Sequence, residues 1–372
     1  MKKTFVLFLL PFVLTACAVN PETTSFSHEL IKFTDTIPKD SFYNHISHIR
    51  IVQPQPGQGI FLEPAGSNVR YSNGEIYIQD FSSSKVYRFD QEGILLNSIG
   101  SKGRGPGEYS DMLNMQICND TVIIFSSLSR RVNFYRKDGI HLSSHDLATM
   151  GFAGVKSGDN YILSKGHNSK DSDNHQFVLT DSTGVILEKY LPAPGNMPAI
   201  AFGSPFYYGE EGEVFFKETA GYIIYKYQNG KMNAFMETDM GKYNLPKEFY
   251  NQSDPANFGN LLESKENALI ASSFHTPSLT LIQTIIIKMP SAFVLNGFKR
   301  DGKWMWVRLA SKDEDPFIGT ACAIYGDRFV YSISPANLSN ISTKERELIA
   351  NPQLLENLDP EGGMVLVEFF FK

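Results

Sequence analysis

The chemistry-bearing residues of this sequence gather most densely in one stretch, Ser101-Lys102-Gly103-Arg104-Gly105-Pro106-Gly107-Glu108-Tyr109. Its glycines invite comparison with a phosphate-cradling loop. Such a loop needs a strand before it and a helix N-terminus after it. Here Met112 to Cys118 reads as another strand and no Lys-Ser pair follows, so nucleotide binding is not expected. What remains is a group of cations, Lys102 and Arg104, with Glu108 and Tyr109 beside them and Arg130 and Arg131 a short distance on. If the fold brings these six together on a concavity, they form a candidate binding face. An arginine fork and an aromatic ring there could orient a carboxylate-bearing sugar or peptide end. The bland alternative is a solvated rim paired with Asp80, Asp111 or Glu108. Other chemistry is thin. His45/His48 and His141/His145 fall in strands or turns, where an i, i+4 pair lies some 13 Å apart at about 3.3 Å per residue, too far to share a metal. Asp80, Glu108, Asp171 and Asp173 do not recur in register, and neither Gly-x-Ser-x-Gly nor His-Glu-x-x-His occurs. No catalytic residue, metal ligand or cofactor is assigned.

Cys17 is the other residue with a chemical future. Lys2 and Lys3 precede an almost wholly apolar run from Thr4 to Thr15, and Leu14-Thr15-Ala16-Cys17 closes it. That layout is a secretory signal, too short for a comfortable membrane span. The cysteine at the cleavage point resembles the lipobox of bacterial lipoproteins, in which the thiol is acylated and becomes the mature N-terminus. The alternative is an ordinary signal with an incidental cysteine. Several acyl chains anchor a protein far better than one. Residues 1–16 are therefore expected to be a signal peptide, 17–40 a lipid-anchored tether and 41–372 the folded domain. The expected address is the cell envelope, with the outer membrane favoured and its leaflet left open.

Losing residues 1–16 removes two lysines and no acids, taking the net charge from −6 to −8. An acidic chain without a basic tract argues against nucleic acid as partner. Cys118 and Cys322 each sit in an expected inner strand and are read as free thiols, although pairing stays open at this stage.

A repeat supplies the scaffold. Val86-Tyr87-Arg88-Phe89-Asp90-Gln91-Glu92-Gly93 is a strand followed by a polar turn ending in glycine. The pattern returns at Val132–Gly139, Phe177–Gly184, Ile223–Gly230 and Leu295–Gly302, and as a strand alone at Val365–Lys372. The turn glycines are spaced 46, 45, 46 and 72 residues apart, and Lys372 lies 70 beyond the last. Three of these steps match a four-stranded propeller blade of roughly 40–50 residues. The two long steps imply insertions, expected over Lys242–Asn267 and Ala336–Gly363, the latter with a helical stretch at Thr343–Ile349. Short turns such as Ser72-Asn73-Gly74 make each unit an antiparallel sheet. Since the sixth unit stops at its third strand, an open edge would result. Ser47–Val52 is the spare strand that can close it. The expected fold is all-β: a six-bladed β-propeller of four-stranded blades, sealed by its N-terminal strand.

Lys85–Asp90 with Gly93, the block Ile99–Tyr109 and the terminal Met364–Lys372 resemble the six-bladed β-propeller lipoproteins of Bacteroidetes, relatives of the NHL and TolB-like propellers. The resemblance covers about residues 41–372, with Gly-Pro-Gly-Glu-Tyr its most specific element. Blades three to five lack that block. The resemblance implies the fold and little about activity.

Two classes of function stay open. One is a membrane-tethered binding or scaffold lipoprotein that holds a protein, peptide or glycan on a propeller face. The other is an enzyme of the lyase, lactonase or esterase type in the channel, with calcium as its conceivable metal; a purely structural envelope role is a third. Three or four carboxylate and amide oxygens converging in the channel would favour the enzyme, and an apolar or basic lining the binder.

Overall fold

The computed structural model describes residues 28–64, 67–166, 172–193, 204–209, 213–218, 220–251, 255–309 and 321–372. Six antiparallel sheets follow one another around an axis. The first is Ser67–Ser72, Glu75–Asp80, Lys85–Phe89 and Leu95–Ile99, in chain order from the axis outward. Blades two to five repeat that order, with first strands Asn114–Cys118, Ala153–Ser157, Phe206–Tyr208 and Asn267–His275. Blade six takes Ala321–Tyr325, Arg328–Ile333 and Val365–Phe371 from the C-terminus and its outer strand, Ile46–Val52, from the N-terminus. The closing register pairs Ile49 with Phe369 and Val52 with Leu366, antiparallel, as the unfinished sixth unit requires.

Sequence explains the layers. Second strands are sandwiched between neighbouring blades, so they read as continuous apolar runs: five of the six residues of Glu75–Asp80 and of Thr121–Ser126 are buried. The repeated glycines, Gly93, Gly139, Gly184, Gly230 and Gly302, all have φ between +73° and +93°, a region that side chains with a Cβ rarely enter. At the first two the requirement is double. A Cβ on Gly93 would lie 2.8 Å from the Gln53 carbonyl oxygen, and one on Gly139 2.8 Å from that of Ser98. Each turn thus rests directly on the preceding blade.

Both insertions are where the spacing puts them. The first holds a helix, Pro255–Ser264, after two short 3-10 turns. The second holds Thr343–Leu348, capped reciprocally by Ser342 and Glu345. This insertion covers the closing strand: Asn351 hydrogen-bonds both the N–H and the carbonyl of Ile51, at 3.1 and 2.7 Å.

Residues 28–40 depart from the tether expectation. Glu29–Lys32 forms a fifth strand on blade four, parallel to Lys231–Asp239. Ile31 is buried, and Ile37 bridges to Val307 on blade five. The segment also covers the two tryptophans of the outer strand of blade five, Trp304 and Trp306. Phe33 meets Trp306 edge-on at 5.4 Å, and the Trp304 indole N–H donates to Glu29 at 3.1 Å. A chain that buries this much apolar surface is held against the disc rather than swinging free of it. The outer edges of blades four, five and six are therefore covered. Those of blades one to three carry exposed aliphatic pairs at matching positions: Ile94/Leu96, Ile140/Leu142 and Val185/Leu187.

Candidate functional site

The disc has two ends. First strands run outward from the crossings between blades and finish at the turns to second strands. Crossings and second-to-third-strand turns therefore share one end of the channel, and first-to-second-strand turns share the other.

The six residues expected to form a binding face belong to the crossing end. The crossing and the neighbouring turn do meet there: the Ser129 hydroxyl accepts from the Ser110 N–H at 2.9 Å and donates to the Ser110 hydroxyl at 3.1 Å. The side chains do not converge, however. Tyr109 is fully buried, its hydroxyl donating to the Ser84 carbonyl at 2.8 Å, and its ring fills the space a Cβ on Gly100 would need. Glu108 turns back into its own loop, accepting from the Gly105 N–H at 2.7 Å and covering Gly103. Gly107 takes φ +72° with the His141 ring over its α-carbon, and its carbonyl accepts from the Tyr135 hydroxyl. The Gly-Pro-Gly-Glu-Tyr block is thus a clasp between blades one and two. Around it Lys102, Arg104 and Arg130 are exposed, and Arg131 is held by Asp146 at 2.6 Å. Tyr109 cannot orient a ligand from the core, which corrects its expected place on a binding face. The acids expected to pair with this rim do other work. Asp80 accepts from the N–H groups of Ser82 and Ser83, and Asp111 from Ser126, Ser127 and Leu128, each fixing a turn.

The other end holds a cavity of about 490 Å³. Its wall comes from the ends of first strands: Arg70 and Tyr71 of blade one, Gln116 of blade two, Tyr208 of blade four, Phe274 of blade five and Tyr325 of blade six. Among the described residues of the lining none is a carboxylate or a histidine. The Arg70 guanidinium reaches across the channel to the opposite blade and lies 5.0 Å from the centre of the Tyr208 ring. Its Nη1 donates to the Val69 carbonyl at 3.0 Å, while its Nε is buried without an acceptor. Among the described residues no carboxylate pairs with it. Burial accordingly lowers its pKa from the ordinary arginine value, opposed by Tyr208, Cys322 and Tyr207.

The walls are rigid. Gln116 caps the neighbouring inner strand, accepting from the Lys156 N–H at 2.7 Å and donating to its carbonyl at 3.1 Å. Asn114 does the same to Gly154 and also donates to the Tyr208 hydroxyl at 3.3 Å. Tyr71 stacks on Tyr325 at 5.7 Å and donates to buried Glu368 at 2.8 Å. Glu368 is in turn held by Arg50 at 2.8 Å and Arg328 at 3.6 Å. The Glu368 charge is thereby already matched. Cys322 is a free thiol pushed up to about 12 by burial, and Cys118 is free as well. Among the described residues no group of three or more His, Cys, Asp or Glu could hold a metal, and no helix is long and apolar enough to cross a membrane. Cys17 lies outside the described residues.

Ring closure, the repeated glycine turns and a walled channel mouth define a six-bladed β-propeller with a cavity at one end of its axis. Within that class the chain belongs to the family described as a domain of unknown function, DUF4934, which matches residues 42–369. A Bacteroides fragilis structure named for its inferred export shares 17% identity at a TM-score of 0.70, covering 93% of this chain and 100% of its own. A Bacteroides vulgatus member of the DUF4221 family shares 11% at a TM-score of 0.52, covering 88% and 98%. At these identities the likeness shows the fold alone. No curated protein matches the chain.

Arg70 was legible in principle. It lies just before the Ser72-Asn73-Gly74 turn, and a charged side chain on a strand that faces the axis is the signal.

Proposed function

We propose that this protein is a binding propeller of the cell envelope, tethered through a lipid on Cys17, which holds a peptide, glycan or protein partner at the channel mouth beside Arg70. The observation that carries the reading is the lining: among the described residues, aromatic rings, amides and the cation Arg70 around about 490 Å³, with no carboxylate or imidazole. A concave, pre-formed, mixed polar and aromatic cavity is the usual shape of a ligand site. Export of a structural neighbour and the signal-like N-terminus agree with an address outside the cytoplasm.

The test pairs capture with blockage. Tagged protein, wild type and Ser72→Trp, is used to recover partners from envelope extracts. The tryptophan fills the mouth without touching a core contact, and loss of the same partner in the blocked variant is expected. Undiminished capture would move the site elsewhere. Separately, Cys17→Ser should release the protein from the membrane fraction; continued fractionation with membranes would mean another anchor.

A further inference from the structure

The described residues of the channel mouth leave a positive charge unmatched. Arg70 is the cation on its wall, its neighbours are phenols, amides and a thiol, and Glu368, which accepts from Tyr71 of the same wall, already receives Arg50 and Arg328. Cations are normally taken out of bulk water with a partner, because desolvating an unpaired one is costly. Arg88, which is largely withdrawn from water, pairs with Glu75 in that way.

We infer that Arg70 is the anchor for a carboxylate on the ligand, which enters the channel acid-first with its uncharged body against Tyr71, Tyr208 and Tyr325. This deepens the proposed binding role and rests on it. The unmatched positive charge is what selects an anionic group such as a carboxylate. Nη1 is occupied by the Val69 carbonyl and Nε is buried, whereas Nη2 has no acceptor among the described residues and is the N–H group left to hold a carboxylate oxygen in a charge-assisted bond. The Tyr208 ring, 5.0 Å from the guanidinium carbon, helps to fix its position. Tyrosine faces, together with the amide and hydroxyl groups of Asn73, Gln116 and Ser72, suit a neutral polar body behind the acid. An acidic sugar and a peptide C-terminus both offer that chemistry.

Two matched pairs separate those sources: D-glucuronate against D-glucose, and the tripeptide Ala-Ala-Ala as free acid against its C-terminal amide. Binding to the full-length protein is followed by calorimetry, with Arg70→Gln and Arg70→Met beside wild type. One acid should bind and its neutral partner should bind at least tenfold more weakly, a charge-assisted pair being worth roughly 10- to 100-fold. Arg70→Gln should remove the preference for the acid. The unliganded Arg70→Met protein should melt higher than wild type, because an unmatched, partly buried charge has been taken away. If acid and neutral members bind alike and Arg70→Gln changes neither, the mouth is a site but its anchor is not Arg70. If no acid binds and Arg70→Met melts lower, Arg70 is a structural plug of the channel and the inference is overturned. The Ser72→Trp capture result then decides independently whether the mouth is a site at all.

Discussion

The two ends of the channel are built from the same repeat and differ in how their polar groups are satisfied. At the crossing end the conspicuous aromatic and acidic residues are used up by the protein. Tyr109 fills the core, Glu108 closes its own loop, and Asp80 and Asp111 fix turns. The remaining cations stand in water, where a like-charge pair costs about 1 kcal/mol or less and salt screens it within about 8 Å. At the opposite end Arg70 is partly withdrawn from water and given no counter-charge by any described residue. The lesson is that density of suggestive residues marks the clasp, while an unmet electrostatic demand marks the candidate site.

Ring closure underlies both ends, and breaking it should have the largest effect. Deleting residues 41–53 removes Ile46, Ile49, Ile51 and Val52, all buried. At about 1.5–3 kcal/mol for each buried aliphatic side chain, the loss is comparable with the roughly 5–15 kcal/mol stability of a typical domain. Circular dichroism should show a protein that no longer melts cooperatively near the wild-type temperature. An unchanged melt would mean that the propeller holds without its closing strand.

Next comes the clasp. Tyr109→Ala should cost about 3–5 kcal/mol, as large-to-small changes in a packed core do. Tyr109→Phe, which leaves the Ser84 carbonyl without its donor, should cost about 1–3 kcal/mol. Denaturant titration reads both. Ligand capture by the folded Tyr109→Phe protein should stay intact, since the clasp and the mouth lie at opposite ends.

The mouth should be the more acid-sensitive end. His275, one residue beyond Phe274 in the cavity wall, is buried between the Phe215 and Phe235 rings and accepts no charge readily. Burial, with Lys299 and Lys226 nearby, lowers its pKa from 6.5 to about 3. The folded protein therefore keeps the imidazole neutral while the unfolded chain takes up a proton. The resulting stability is complete above about pH 6.5 and is lost progressively as the pH falls toward 3. Thermal melts across that window should flatten in His275→Gln. A slope identical to wild type would assign the acid sensitivity to other groups.

Smallest of all should be the rim. Replacing Lys102, Arg104 and Arg130 together with alanine should change stability by no more than about 0.5 kcal/mol for each exposed position and leave capture unaltered. Loss of the partner in that triple variant would reverse the comparison between the two ends.

Much of this architecture could be read from local pattern. Turn glycines at a fixed spacing, hairpin chemistry such as Asn73-Gly74 and a missing last strand are properties of contiguous residues, and they led to six blades, two insertions and the closing pair of strands. The free state of Cys118 and Cys322 followed from their inner-strand positions. What only the tertiary structure decided were encounters across the ring. Glu29 meets Trp304 across 275 positions, which turned an expected tether into a strap. Arg70 meets Tyr208 from the opposite blade, and Asn114 meets that same tyrosine from a third. A repeat specifies each blade through short-range sterics and hydrogen bonds, but all six blades present their first strands to one axis. Which side chains face one another there, and which of their charges go unmatched, is settled when the ring closes.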